Sequence, residues 1–465
     1  MRRATIVALI TLFAPALAQE EPAPPPAELR GEPPLLRAGP MLGWAALRSA
    51  AVWVQTERPA RVQLRVVPVE RPEAAFLTAE VRSREEEDCA LTLLLERLEP
   101  GTRYEYELYL DGRREVRPWP FRLTTPPLWQ WRGPPPDVTF LAGSCAYIKE
   151  DPYDRPGSPY GDSVEIFRAM AREQADAMLW LGDNVYLREV DWDSPRGIFA
   201  RYRHDRALPQ LQPLLAAMQH CAIWDDHDYG PNDADRTYPL KDVSLAAFRR
   251  YWPAPSMGLP DVPGVFQRRS FGDVDLFLLD DRYHRDPNTW PADRDKTYLG
   301  RAQLEWLKGA LISSRATWKV IAGGNQFLNA GSRYETMARY PQEQAQLLDW
   351  IGSRRIEGIV LLSGDRHHTE LLKLDRPGGY PLHELTSSPL SSGVHTFGQD
   401  NPEWSNNLRV SDTLVMQRNY ALLRFTGPPE ARALVIQVKS ETGDLLWERR
   451  IERSALRFPE APEPR

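Results

Sequence analysis

Short apolar runs that stop abruptly at a glycine or a polar cluster recur through the middle of the chain. The clearest is Met178, Leu179, Trp180 and Leu181, followed at once by Gly182, Asp183 and Asn184, with Tyr186 three positions beyond the aspartate. An uninterrupted run of that length is the pattern of a strand buried on both faces. The same design is repeated five times. Residues 138–142 run into Gly143, Ser144 and Cys145, and residues 222–224 into Asp225, Asp226, His227 and Asp228. Residues 274–279 run into Asp280, residues 318–322 into Gly323, Gly324, Asn325 and Gln326, and residues 359–362 into Ser363, Gly364, Asp365, Arg366, His367 and His368. Helical spacing is predicted between them over 163–171 with Asp162 as N-cap, over 301–313, and near 342–351. Strand and helix in alternation predict an α/β fold, in which ligands gather beyond the carboxyl ends of the strands.

Ahead of this region the pattern changes to short β runs at 51–56, 60–67, 90–95 and 98–110. In the last of these Tyr104, Tyr106, Leu108 and Leu110 share one face. Glu57, Arg58 and Pro59 suit a hairpin turn between the first two runs, and Asp111 with Gly112 marks a further turn. A β-sandwich is predicted over 37–127, joined by a proline-rich linker at 128–136 to a larger domain over 137–452. Further β runs at 421–425 and 433–438 close that domain, and the tail 453–465 is predicted to be mobile.

Composition adds limits. A chain of 465 residues is too long for one ordinary domain. Its formal charge of −6, without a lysine- or arginine-rich run, gives no footprint for tracking a nucleic-acid backbone. Residues 1–18 read as an export signal: Arg2 and Arg3, an apolar stretch, then Ala16, Leu17 and Ala18 at a cleavage site. Residues 19–36, rich in Pro, Glu and Ala, predict a disordered lead-in, and no later stretch is suited to crossing a bilayer. Three cysteines are an odd count and no disulfide scaffold; Cys89 and Cys221 read as inert core thiols, whereas Cys145 stands at a strand end.

The strand ends and the loops after them offer Cys145, Asp183, Tyr186, Asp225, Asp226, His227, Asn232, Asp233, Asp365, His367 and His368. This is a mixed hard and borderline ligand set. A carboxylate shared by two cations can centre a two-metal hydrolase that clamps attacking and leaving oxygens. Thiolate and phenolate donors suit trivalent iron, and the oxygen donors suit calcium or another divalent cation.

Two resemblances follow from particular stretches. Residues 95–112, "LERLEPGTRYEYELYLDG", resemble the edge of fibronectin type III-like domains. The motifs "LAGSC" (141–145), "LWLGDNVY" (179–186), "IWDDHDYGPND" (223–233), "LLDDRYHR" (278–285) and "LLSGDRHHTEL" (361–371) resemble the PhoD-like alkaline phosphatase family, within the calcineurin-like and purple-acid-phosphatase-type metallophosphoesterases. That resemblance implies a layered α/β metallophosphoesterase sandwich flanked by helices. It also implies hydrolysis of phosphate mono- or diesters, from small molecules or phospholipids, by in-line attack of a metal-bound hydroxide. Asp183 would bridge two metals, with Cys145 and Tyr186 on iron and Asp365 and His367 completing the set. Asn232 would hold a second, calcium-like centre, though the loop leaves open which of Asp226, Asp228, Asn232 and Asp233 binds metal. His227 is implied as proton donor to the leaving group, with Asp226 beside it, and Arg282 or Arg285 as a fork on phosphate oxygens. An envelope binding module that keeps the fold without catalysis, and a redox iron protein, are the alternatives.

Overall fold

A computed structural model describes residues 35–459 apart from 155, 157–159, 162 and 292–294. The expected signal, most of the lead-in and the Asp162 cap lie outside the described residues. The first strands are β1 (Leu36–Ala45), β2 (Ala50–Thr56), β3 (Arg61–Pro68), β4 (Ala90–Leu95) and β5 (Arg103–Leu110). β1, β2 and β4 make one sheet; β3 and β5 centre a second, extended by strands of two or three residues. Alternating side chains of the two sheets, among them Val52, Val54, Leu64, Val66, Tyr106 and Leu108, fill the space between.

The expected hairpin at 57–59 does not form. β2 pairs with β1 and β4, and β3 pairs with β5, so residues 57–60 carry the chain from one sheet to the other. Burial explains it: every residue of β2 is buried, which requires a central strand covered on both faces, whereas β3 alternates and keeps one wetter face.

The larger unit is built from β6 (Val138–Gly143), β7 (Ala177–Leu181), β8 (Gln219–Ile223), β9 (Gln267–Phe271), β10 (Val274–Leu278) and β11 (Trp318–Ala322). It continues with β12 (Ile359–Ser363), β13 (Glu370–Leu374), β14 (Leu382–Thr386), β15 (Asn419–Thr426), β16 (Ala433–Ser440) and β17 (Leu445–Glu452). One sheet runs β8-β7-β6-β15-β16-β17, the other β9-β10-β11-β12-β14-β13. Within them β6, β7 and β8 are parallel, as are β10, β11, β12 and β14. Their registers bring the ends level: Leu181 faces Ile223, Leu278 faces Ala322, and Ser363 faces Thr386. The polar residues that follow therefore emerge along one rim. Between the sheets Phe140, Leu179, Ile223, Leu276, Val320 and Leu361 form a common core.

Helices cover the outer faces. α1 (Ile166–Met170), α2 (Pro195–Arg206), α3 (Gln212–Ala217), the single turn α4 (Asp226–Tyr229) and α5 (Lys241–Tyr251) contribute to a second core around Trp180 and Trp224. α6 (Arg301–Ser313) and α7 (Pro341–Ser353) lie against the other sheet through Leu304, Leu307, Leu347 and Ile351. Trp53 and Met41 of the N-terminal sandwich enter the second core, and the Trp53 indole donates to Arg250 O at 2.9 Å. The tail, expected to be mobile from 453, is ordered to 459. Leu456 and Phe458 insert into the core and the Gly358 N–H donates to Leu456 O at 3.0 Å, so apolar burial pins the segment. Among the described residues no helix is long and apolar enough to cross a membrane.

Candidate metal centre

The residues at the rim share an unusual backbone. Cys145, Asp183, Asp233, Asp365 and His367 have φ between +54° and +65°, a region that non-glycine residues seldom occupy unless packing over-determines it. The constraint is close approach of the strand ends. A Cβ on Gly182 would lie 2.6 Å from the Asp225 Cβ, and one on Gly364 would lie 2.5 Å from Leu181 O. Glycine before Asp183 and before Asp365 lets neighbouring strands turn together, and the left-handed step then aims those two carboxylates inward.

Asp183 stands at the centre. Its Oδ2 accepts from the Tyr186 hydroxyl at 3.1 Å and lies 3.6 Å from the Cys145 thiol, while Oδ1 accepts from the His227 N–H at 3.3 Å. Among the described residues, ligand atoms lie within 4.8 Å of one another in four triples: Cys145–Asp183–His367, Asp183–Asp226–His227, Asp183–Asp225–Asp365 and Asp226–Asp233–Glu335. Asp183 belongs to three of them. His367 Nδ1 faces Gly393 O at 2.6 Å, which places its proton there and leaves the Nε2 lone pair toward the cluster, 3.3 Å from the hydroxyls of Tyr186 and Tyr160. The His227 ring stacks on Tyr186 with centroids 4.3 Å apart, and Asp226 accepts from the N–H groups of His227 (3.0 Å) and Asp233 (2.7 Å).

Electrostatics describe a cluster short of positive charge. Burial, then the charges of Asp226, Asp228 and Asp365, pushes the Asp183 carboxyl well above the usual range. Burial likewise raises the Cys145 thiol and the Tyr186 phenol, with Asp183 adding to both. Asp365 is pushed up to about 7, chiefly by burial, and burial holds the His367 imidazole down at about 3. Asp226 goes the other way: burial opposes its charge, but His227 and Arg282 hold it well below the ordinary value. Acids that resist ionising beside an imidazole that resists protonation are the donor set a cation relieves. The residues fit a metal on that chemistry, with thiolate, phenolate, carboxylate and imidazole at one end and the oxygen-only triple of Asp226, Asp233 and Glu335 at the other.

The cluster forms the floor of a cleft of about 730 Å³. Asn232 is exposed on its wall beside Asp233, and His227 and Tyr160 also face it. Arg282 and Arg285 do not. Both are fully buried with their edges committed: Arg282 donates to Asp225 at 2.6 Å and to Glu335 at 2.6 Å, and Arg285 to Glu335 at 2.8 Å and Asn325 at 2.6 Å. The expected fork on phosphate is thus corrected to an internal clamp. The arginines that line the cleft are Arg333, Arg339 and Arg366. Glu403 takes Arg366 at 2.6 and 2.8 Å, whereas Arg333 and Arg339 have no carboxylate partner among the described residues. His368 is buried behind the rim, its Nδ1 3.0 Å from Arg366 O.

Two residues tie the rim together: Asp228, already a candidate from the loop sequence, and Ser388, which the strand-end pattern had not marked. Asp228 accepts from Asn184 N, Asn184 Nδ2 and Asp225 N at 2.9–3.0 Å, tying the loop after β7 to the end of β8. Ser388 accepts from His367 N at 2.9 Å and donates to the Cys145 thiol at 3.2 Å. Its signal was available: β14 also ends in a polar cluster, Ser387 and Ser388.

Residues 140–433 match the model of the PhoD-like phosphatase family, and residues 33–127 match a domain of unknown function, DUF7800. Alkaline phosphatase D of Bacillus subtilis (strain 168) is 26% identical over 285 residues, 50% of this chain and 46% of that protein, so the match spans about half the length of this curated relative. A structure of PhoD superposes with a TM-score of 0.72 at 18% identity, over 88% of this chain and 91% of that one. Purple acid phosphatase PPD1 from yellow lupin (Lupinus luteus) seeds gives 0.65 at 12% identity, over 92% and 77%. Both share the paired-sheet fold. The family match runs from the strand that delivers Cys145, through the loops of Asp183, His227, Asp365 and His367, to the start of β16, and the chain belongs to the PhoD-like phosphatase family.

Proposed function

We propose that this chain is an exported, metal-dependent phosphoesterase that hydrolyses phosphate mono- or diesters of small molecules or phospholipids. The observation that carries the reading is the position of Asp183, whose carboxylate is common to three of the four ligand triples. Cys145, Asp183, Tyr186 and His367 would hold iron, with Asp365 alongside. Asp226, Asn232 and Asp233 on the cleft side would hold calcium or another divalent cation. Bound cations would supply positive charge to the phosphoryl oxygens and lower the pKa of a nucleophilic water.

The chain's own groups do the rest. Ser388 fixes Cys145 and the His367 backbone together, and Gly393 O fixes the His367 tautomer. Asp226 holds the His227 backbone and so seats the ring over Tyr186, where its imidazole proton can pass to a leaving-group oxygen. Arg333 and Arg339 at the mouth draw the anionic substrate in. In this reading residues 1–18 are the export signal, 37–127 the β-sandwich, 128–136 the linker and 137–452 the catalytic domain. The test is metal analysis of the purified chain with hydrolysis of p-nitrophenyl phosphate and bis-p-nitrophenyl phosphate, before and after chelation. Bound iron with chelator-sensitive cleavage of either ester is expected. Protein that binds metal and cleaves neither ester, nor any phospholipid, would sink the proposal.

A further inference from the structure

Away from the cleft, a second cavity of about 430 Å³ lies where the N-terminal sandwich, the linker and the edge strand β9 meet. Its wall combines three tryptophans, Trp44, Trp129 and Trp131, with three arginines, Arg132, Arg268 and Arg269, and among the described residues that line it there is no carboxylate. Arg268 is neutralised by Asp275 at 2.6 Å. Arg269 is not. Only 9% of it is exposed, its Nη2 donates to the neutral amide oxygen of Gln219 at 3.1 Å, and its buried Nη1 has no hydrogen-bond partner. Among the described residues no carboxylate pairs with it.

A guanidinium cannot shed its proton to escape burial, and a buried charge without a counter-ion is costly. Among the described residues Arg201, Arg282, Arg285, Arg366 and Arg432 each meet Asp or Glu, while Arg206, buried without a carboxylate partner, lies 3.9 Å over the face of the Trp252 ring. Arg269 has neither a carboxylate nor so close a ring, its guanidinium being 5.5 Å from the Phe271 centroid, and it lies at the wall of a cavity where the three tryptophans stand among Ala, Leu and Pro side chains. Tryptophan faces offer large, rigid contact area to a ring at little entropic cost, and the volume is within the usual range for a small-molecule pocket, about 300–1,000 Å³. Trp131, 94% exposed, stands at the rim on left-handed backbone.

We infer that this cavity is a second ligand site, distinct from the metal cluster, for a small organic anion: one carboxylate or phosphoryl group borne on an aromatic or cyclic body. The anion meets Arg269 and the ring lies against the tryptophans. Because Gln219 Oε1 also accepts the Ala45 N–H at 2.8 Å, the same amide joins the sandwich, β8 and the guanidinium.

The test is titration of the full chain with 2-naphthoate and with phenylphosphonate, 2-naphthamide serving as the neutral control, read by tryptophan fluorescence and calorimetry. Saturable binding of at least one anion is expected, the better head group naming the source. Arg269→Gln should weaken it about tenfold or more, as loss of a charge-assisted hydrogen bond does, with Arg269→Lys recovering part and Asp183→Asn leaving it unchanged. Should Arg269→Gln fail to fold, Trp131→Ala, at an exposed position, should fold and still weaken binding. No saturation by either anion up to about 10 mM, equal affinity in folded wild type and Arg269→Gln (or Trp131→Ala), or equal binding of the neutral control would each overturn the inference.

Discussion

At the scale of single residues, the carboxylate of Asp183 gathers opposing demands. It accepts from Tyr186 and from the His227 backbone, yet it is crowded by Asp226, Asp228 and Asp365. Asparagine keeps its shape and tolerates the left-handed backbone while removing the charge. Asp183→Asn is therefore expected to lower ester hydrolysis by about a hundredfold or more and to strip metal, and at the same time to raise the melting temperature of the chelated protein, since like-charge repulsion is relieved. Parallel metal analysis, kinetics and thermal melts check both signs. Ser388→Ala removes one hydroxyl from between Cys145 and the His367 backbone. A fall in metal affinity of about 10–100-fold, with circular dichroism unchanged, is the expected result of a competition titration with a chelator.

At the scale of elements, the loop 331–340 owes its place to Glu335, clamped between Arg282 and Arg285. Cutting one partner from a buried ion cluster strands the others, so Glu335→Ala should cost about 3–5 kcal/mol in urea denaturation and loosen Arg333 and Arg339 at the cleft mouth. This is also where sequence reading reached its limit. Strand ends were legible because an apolar run followed by glycine and aspartate has one structural meaning in a parallel sheet. The direction of an arginine is not encoded in local spacing: Arg282 and Arg285 follow such a strand, but a distant carboxylate at 335 turns both inward. α2 was missed because its sequence is largely polar, with only Ile198 and Tyr202 marking a buried stripe at i, i+4. The 57–59 turn was misread because a hairpin and a crossing between sheets share the same turn residues, and only burial of all seven residues of β2 distinguishes them.

At the scale of the whole molecule, the sandwich and the larger unit share packing. Trp53 is fully buried in the core around Trp180, and Gln55 donates to the Tyr251 hydroxyl at 2.8 Å. Trp53→Ala should therefore cost about 3–5 kcal/mol, and calorimetry of the wild type should give one unfolding transition rather than two. Acid acts on the same core. His220 accepts from the Trp180 indole at 3.0 Å, and burial, with the nearby Arg206 charge, holds its imidazole down at about 3. The unfolded chain takes up that proton near pH 6.5. Stability from this group is thus complete above about pH 6.5 and is lost progressively as pH falls toward 3. His220→Asn, which keeps an acceptor for the indole, should flatten that limb in melts across the range.

The left-handed backbone shared by Cys145, Asp183, Asp233, Asp365 and His367 has an evolutionary corollary. Asparagine and glycine are the residues that such backbone accepts most readily, and neither carries the charge that the aspartates supply. The substitutions that the architecture tolerates best at those aspartates are therefore ones that silence it. Drift within this family should yield pseudoenzymes with sound folds and Asn or Gly at the rim, while bulky or β-branched replacements there should be rare.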